Sequence, residues 1–188
     1  MKKTRLLLMA LVIMASASVS MAQTLITSTQ ASTKVILPKS DRVKGLVIRS
    51  ELGAGVDLSY SGKFIFGLNC TIGYQINPYI AVGGGYNYDC STQSYYDYSW
   101  GYNKHRFSSW FVNFRAYFSD TYISPYFDLK VGTLKIGSNF EPIGMGSGMV
   151  GIQWKRFDLG TSIKYCYYYN DSWILALHFA YNIQFGKK

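Results

Sequence analysis

The sequence predicts an all-β protein, an eight-stranded antiparallel up-and-down transmembrane β-barrel with a cleaved N-terminal signal peptide. Three observations support this. The segment ending at Phe185 places large apolar residues at odd positions and mostly small or polar residues at even positions, the period of a strand with one apolar and one polar face. The mean hydropathy is only +0.02, as expected where lipid-facing and lumen-facing residues alternate. The chain also begins with an export signal.

Residues 1–22 have the parts of a secretory signal peptide. A basic start precedes an apolar run over 6–15, and small residues lead up to the expected cleavage after Ala22. That run is much shorter than the roughly 20 residues of a helical membrane span. Loss of the three basic residues in this segment lowers the formal net charge from +9 to about +6. An exported chain without a basic helix or clustered basic stripe is not expected to bind nucleic acid.

The rest of the chain is long enough for one domain. We predict a flexible periplasmic N-terminal segment over 23–42, which is rich in Ser, Thr and Lys and either stays disordered or tucks against the barrel mouth. The outer-membrane β-barrel domain is predicted over 43–185, followed by a short basic tail over 186–188.

Eight segments with two-residue alternation divide the barrel domain into four hairpins. The strands are predicted over 45–60, 64–76, 79–88, 109–118, 123–133, 150–154, 157–167 and 173–185. Short turns are placed on the periplasmic side at 77–78, 119–121 and 155–156, and longer outer loops over 89–105 and 134–146. An even number of strands closes the sheet without a free edge, which hydrocarbon requires because unpaired backbone groups are costly there.

The charged residues of the predicted strands fall on the polar face, which points into the lumen. An eight-stranded barrel is only wide enough for side chains to fill its interior, so a large open pore is disfavoured. An unpaired ion in so narrow a space would be costly, and the two signs are equal in number. We therefore predict a lumen charge network, in preference to a set of residues lining an ion path. Its members are Arg49, Glu51, Asp57, Arg115, Asp128, Lys130, Asp158 and Lys164.

The export signal, the eight alternating strands, segments such as Ile123–Gly132 and the ending at Phe185 resemble the small outer-membrane β-barrel family, the OmpA/OmpX-like membrane domains. The Tyr-rich and Gly-rich composition is similar to that of Bacteroidetes-type barrels. The resemblance implies integral insertion in the outer membrane of a Gram-negative bacterium, contact with outer-membrane lipid and lipopolysaccharide, and delivery by the barrel-assembly machinery. It also implies a C-terminal assembly signal formed by Phe179, Tyr181, Ile183 and Phe185.

We expect an envelope structural or surface-interaction protein of the adhesion type, acting through its extracellular loops. The longest predicted loop carries amphipathic rings suited to contact with a host or cell-surface ligand. These rings are Tyr95, Tyr96, Tyr98, Trp100 and Tyr102. The alternative is that the loop only extends the strands above the membrane. Beside it, His105 with Lys104 and Arg106 is expected to contact lipopolysaccharide phosphates.

Two other functions are alternatives to this contact role. Some eight-stranded barrels modify lipid A with a histidine, a serine and an acidic partner. Here His178 falls on the inward face of the last strand, and neither Ser162 nor Ser172 stands in a recognisable motif. We therefore expect no enzyme activity, no cofactor and no metal site. A narrow small-solute or ion channel remains the second alternative, which the lumen charges disfavour.

The three cysteines leave at least one thiol unpaired. Cys70 is predicted to face lipid as a small apolar side chain. Cys90 is placed in the long loop, and Cys166 in the lumen near the outer end. A bridge between Cys90 and Cys166 requires the loop to fold over the barrel mouth, and the sequence leaves that question open.

Overall fold

A computed structural model shows a closed antiparallel barrel of eight strands in chain order. It describes residues 37–58, 63–96, 103–136, 143–166 and 172–186. The strands are β1 (Gly45–Asp57), β2 (Phe64–Asn77), β3 (Ile80–Tyr96), β4 (Asn103–Tyr117), β5 (Ile123–Ile136), β6 (Ile143–Trp154), β7 (Phe157–Cys166) and β8 (Ser172–Phe185). The predicted eight-stranded barrel is confirmed, whereas the predicted signal peptide lies outside the described residues. Within those residues, no helix has the length and apolar character needed to cross a bilayer.

The sheet closes where β1 pairs with β8, from Leu46 opposite Phe185 to Asp57 opposite Ile174. Every strand therefore has two hydrogen-bonded neighbours, and no edge is left to pair with another chain. Gly45 begins β1 with a φ of 152°, and a Cβ atom there would overlap the carbonyl oxygen of Phe185. Glycine is thus required at this end of the seam.

Short turns join the strands at one end of the barrel, which we call the short-turn end. Asn77 caps the β2–β3 turn, because its side-chain oxygen accepts hydrogen bonds from the backbone N–H groups of Tyr79 and Ile80 at 2.8 and 2.9 Å. Lys155 and Arg156 connect β6 to β7, and Lys155 has the left-handed backbone (φ 56°) that suits a two-residue hairpin. The opposite end, which we call the loop end, carries the other four connections.

Side chains alternate between an apolar outer face and a polar lumen. On β4, Trp110 and Val112 point outward and are 68% and 67% exposed, whereas Asn113 and Arg115 point into the lumen and are buried. All eight strands contribute outward apolar residues, which form a belt around the barrel with aromatic rings near both ends. Highly exposed members of this belt include Leu52, Phe64, Leu68, Trp110, Val112, Phe118, Val131 and Trp154.

Two predicted loops are shorter than expected because the flanking strands run into them. β3 continues to Tyr96 and β4 begins at Asn103, so residues 89–96 and 103–105 of the predicted loop lie in strands. Likewise, β5 and β6 extend into the predicted loop 134–146. A hairpin that extends beyond the hydrocarbon can carry polar residues on both faces. These strand ends therefore lack the alternation of apolar and polar residues that marks the strands within the barrel wall.

Residues 38–42, at the end of the predicted N-terminal segment, pack against the short-turn end. Arg42 is buried and donates to the carbonyl oxygens of Pro78, at 2.9 Å, and of Ser119, and to Gln153 Oε1 at 2.6 Å. Burial lowers the pKa of Arg42 from its ordinary value. The three acceptors offset that desolvation and fix the segment to the barrel. Its earlier part lies outside the described residues.

Candidate functional site in the barrel lumen

All eight residues of the predicted charge network lie in the lumen. Seven of them are at most 6% exposed, and the Lys164 side chain is 12% exposed. Apart from Asp57, which is buried at the end of β1, they belong to three clusters along the barrel. We name these the lower, middle and upper clusters, counted from the short-turn end.

The lower cluster consists of Arg49, Arg115, Asp128 and Asp158, from four different strands. Arg115 binds both acids, because its Nε donates to Asp128 Oδ2 at 2.7 Å and its Nη1 donates to Asp158 Oδ2. Arg49 Nη1 lies 3.0 Å from the same Asp128 oxygen. Asn113 donates to the other oxygen of Asp128 at 3.1 Å. Two cations and two anions thus meet where solvent does not reach, so each depends on its partners for charge compensation.

The middle cluster consists of Glu51, Lys130, Ser162 and His178, one step nearer the loop end. Lys130 Nζ lies 3.0 Å from each carboxylate oxygen of Glu51. His178 Nδ1 lies 2.8 Å from Glu51 Oε1, although this nitrogen has no aligned hydrogen-bond partner among the described residues. On the other side of the ring, Nε2 lies 2.6 Å from Ser162 Oγ. A serine, a histidine and a carboxylate are therefore in contact in that order.

A glycine makes room for the imidazole of His178. Gly53 on β1 and Gly160 on β7 lie directly opposite His178 in the strands that flank β8. A Cβ atom at position 53 would lie 2.9 Å from two ring atoms, closer than packed atoms normally approach. The sequence predicts an inward His178 but not its contacts, because these depend on the register of three strands.

The upper cluster consists of Asn87, Asp89 and Lys164. Lys164 Nζ and Asn87 Nδ2 each lie 2.6 Å from Asp89 Oδ2. The predicted network omits Asp89 because that residue falls in the predicted loop, whereas it is an inward residue of β3. The signal that could have revealed it is the two-residue spacing of Asn87, Asp89 and Ser91, all of them polar and all of them buried.

Two groups of buried apolar side chains accompany these clusters in the lumen. The lower apolar layer consists of Tyr117, Tyr126 and Met149. The upper apolar layer consists of Phe111, Met145 and Cys166. The Arg115 guanidinium lies 4.0 Å from the centre of the Tyr126 ring, so the lower layer also contributes a cation–π contact. The Lys130 ammonium group lies 5.3 Å from the centre of the Phe111 ring, so the upper apolar layer borders the middle cluster.

Two of the five aromatic residues predicted as a contact site lie within the described residues. Tyr95 and Tyr96 belong to the end of β3, and the backbone of Tyr95 pairs with that of Lys104. The other three members, Tyr98, Trp100 and Tyr102, lie outside the described residues. His105, which is predicted to contact phosphates, lies in β4.

The residues predicted as a C-terminal assembly signal line the outer face of β8. Phe179, Tyr181, Ile183 and Phe185 are all exposed there. Phe157 of the neighbouring strand stacks on Phe179 with ring centres 5.8 Å apart. The signal residues therefore form part of the apolar belt.

Cys90 and Cys166 are not bridged, and all three cysteines are free. Cys166 is buried in the lumen, whereas Cys90 lies between the inward residues Asp89 and Ser91 and so faces outward. Cys70 is exposed on the outer face of β2. Since Cys90 and Cys166 are on opposite faces of the barrel wall, folding of a loop over the mouth does not bring them together.

Comparison with known proteins identifies similar folds. No protein-family model and no curated protein matches the sequence. The structure is similar to that of Neisserial surface protein A, with a TM-score of 0.56 and 13% identity over 75% of this chain and 97% of that chain. It is also similar to the outer membrane enzyme PagL, with a TM-score of 0.52 and 12% identity over 73% of this chain and 99% of that chain. At such low identities the likeness is one of architecture, so this chain has the fold of small outer-membrane β-barrels.

Proposed function

We propose that this protein is an integral outer-membrane β-barrel with a side-chain-filled lumen, acting as an envelope structural or surface-interaction protein through its loop end. The observation that carries this is the combination of an apolar outer belt with a lumen occupied by paired charges. Loop-end connections would face the medium and short turns the periplasm. Lipopolysaccharide and the barrel-assembly machinery are partners in this proposal.

The outer belt supports insertion in a bilayer. Phe118 near the short-turn end is 71% exposed, and Trp110 and Phe64 towards the other end are 68% and 60% exposed. A water-soluble protein rarely exposes a contiguous apolar patch larger than a few hundred Å². Hydrocarbon solvates such a belt, and the closed sheet leaves no unpaired backbone edge within it.

The filled lumen argues against the alternative of a small-solute or ion channel. Such a channel needs a continuous wet path, whereas Arg115, Asp128 and Asp158 bind one another with essentially no exposure to solvent. We expect the refolded protein to show no steady conductance in planar bilayers. Heat-unfolded protein serves as the control for detergent leakage. Steady conductance steps that appear only with the compact form would contradict the closed lumen.

The β3–β4 hairpin supports the contact role. β3 has 17 residues and β4 has 15, whereas a tilted strand crosses a bilayer with about 9 to 11 residues. The excess length carries the hairpin tip beyond the hydrocarbon. The sequence between positions 95 and 102 is rich in tyrosine and tryptophan, whose large amphipathic rings are of the kind found at interfaces.

Replacing the five predicted contact residues, Tyr95, Tyr96, Tyr98, Trp100 and Tyr102, tests the contact role. We expect serine at all five positions to lower the adherence of protein-displaying cells to an epithelial layer about tenfold, the effect of losing roughly 1.4 kcal/mol of binding energy. Phe140→Ser, in the β5–β6 connection, is the matched control and should adhere as the wild type does. Equal adherence of the five-residue variant, at equal surface amounts, would assign the protein a structural role without this contact.

A further inference from the structure

The middle cluster places a nucleophile, a base and a carboxylate in sequence. Ser162 Oγ lies 2.6 Å from His178 Nε2, and His178 Nδ1 lies 2.8 Å from Glu51 Oε1. These are the roles and spacings of a triad, which is recognised by geometry and not by position in the chain. We propose that Ser162 is a catalytic nucleophile activated by His178 and directed at small carboxylic esters that enter from the loop end.

The carboxylate decides which nitrogen of His178 acts as the base. Glu51 can only accept hydrogen bonds, and it faces Nδ1, so the neutral ring carries its proton on Nδ1. The lone pair of Nε2 then points at the Ser162 hydroxyl, as general-base activation requires. The contact between His178 Nδ1 and Glu51 is imperfectly aligned as a hydrogen bond. This agrees with the role, because catalytic hydrogen bonds often tighten only when the substrate is bound. Glu51 is thus a positioning residue.

Two other buried serines of the lumen, Ser124 and Ser109, lack this arrangement among the described residues. Ser124 Oγ donates to the backbone carbonyl of Ser119 at 2.8 Å. Ser109 Oγ is buried, with no partner among the described residues. Neither hydroxyl therefore has a base to take its proton, which marks Ser162 as the activated one.

A small polar cavity adjoins Ser162 and His178. Its volume is about 20 Å³, which is room for one water molecule. Asn69, Asn87 and Lys164 also line it. Strand N–H groups are engaged in the sheet, so the negative charge that develops on the reacting carbonyl oxygen must be met by side chains. Lys164, two residues from Ser162 on the same face of β7, is the cation placed to do so.

The upper apolar layer controls access to this cavity. Met145 and Cys166 pair across β6 and β7 one step beyond Lys164, so they lie between Ser162 and the loop end. Met145 has three rotatable side-chain bonds and can move aside without strain. In this closed arrangement the cavity has room for one water molecule and not for an ester. A substrate must therefore occupy the space that Met145 vacates, which limits it to a short acyl group.

The reaction balances without a further reactant. Ser162 Oγ attacks the ester carbonyl carbon while its proton passes to His178 Nε2. The C–O bond to the alcohol breaks, and the alcohol leaves with that proton. Water then attacks the acyl group on Ser162, loses a proton to His178, and releases the carboxylic acid as Ser162 is regenerated.

Covalent labelling of the full-length protein, refolded in detergent, tests the proposal. The probe is a small ethyl fluorophosphonate, which transfers its phosphonyl group to an activated serine and loses fluoride. Only the compact, unheated gel band is analysed by mass spectrometry, so that loss of folding is not mistaken for loss of reactivity. We expect one adduct on Ser162, formed about tenfold faster in Met145→Ala because that variant opens the upper apolar layer.

Substituted variants show whether the adduct on Ser162 depends on His178 and Glu51 or only on the intrinsic reactivity of a serine hydroxyl. Ser162→Ala should abolish the adduct, and His178→Gln and Glu51→Gln should slow it, the former about 100-fold. Ser147→Ala, at another buried lumen serine, should label as the wild type does. If Met145→Ala gives no compact band, Cys166→Ala opens the same layer. No adduct in a compact opened variant, or an adduct that survives His178→Gln at full rate, would overturn the proposal.

Turnover provides a second readout. With p-nitrophenyl acetate, Met145→Ala should release p-nitrophenol above the rate of the doubly substituted Met145→Ala, Ser162→Ala protein. Equal rates for these two compact proteins would mean that Ser162 is not an acyl acceptor. This result would leave the barrel and its contact role unaffected.

Discussion

Replacing Arg115 with methionine is expected to destabilise the folded barrel by about 3 to 5 kcal/mol, the cost of removing one partner from a buried ion pair. Arg115 is fully buried and binds both Asp128 and Asp158. Methionine restores much of the volume but leaves two carboxylates with one arginine, Arg49, between them. The measurement is urea unfolding of the refolded protein in lipid vesicles, followed by tryptophan fluorescence and gel mobility.

Two comparisons show whether charge compensation is the cause. Arg106→Met removes an exposed arginine from the same strand and should change the free energy of unfolding by no more than about 0.5 kcal/mol. Adding Asp128→Asn and Asp158→Asn to Arg115→Met should recover part of the lost stability, because the orphaned charges are removed as well. Equal stability of the Arg106 and Arg115 variants would mean that the lower cluster is not needed for the fold.

Placing a charge on the outer belt at mid-depth has the second-largest expected effect. Leu52→Arg should destabilise the barrel in lipid vesicles by about 2 to 4 kcal/mol, as cations do at the bilayer midplane. Leu52 is 57% exposed, and its cross-strand partners Leu68 and Phe179 also face outward. A bilayer leaves the guanidinium no water at that depth. Substitution of a side chain that is exposed to water changes the free energy of unfolding little. A large loss of stability in Leu52→Arg would therefore indicate that position 52 faces hydrocarbon.

The same substitution nearer the membrane interface is the matched control for this prediction. Leu58 is 52% exposed near the loop end, so Leu58→Arg lies close to the interface and should cost only about 0 to 1 kcal/mol. The fraction of each variant in purified outer membranes should follow the same order. Equal, small costs at both positions would mean that the belt faces something other than a bilayer.

The sequence predicts which residues face outward and which face inward, because apolar and polar residues alternate along a strand wherever one of its faces is apolar. Asp128, Leu129 and Lys130 show this, since the two charged side chains are buried and the leucine between them is exposed. A slip of one residue would move each charge to the outer face, so burial of the charges specifies the register strongly.

Two features escape such a prediction for physical reasons. Beyond Ser91, β3 has polar residues at both odd and even positions, so periodicity carries no signal there. The contact between Ser162 and His178 joins two strands whose register places Gly160, and not Ser162, directly opposite His178. Only the pairing of β7, β8 and β1 shows that the serine, the histidine and Glu51 converge.

The seam between β1 and β8 has a consequence for the order of folding. Leu46 and Phe185 are hydrogen-bonded neighbours although 139 positions separate them in the chain. Contacts so distant in sequence form slowly, because the entropy of closing the intervening loop must be lost first. The backbone groups of β1 therefore have no partner on one side until the last strand arrives. Since hydrocarbon penalises unpaired groups, the first strand can complete its insertion only together with the last one.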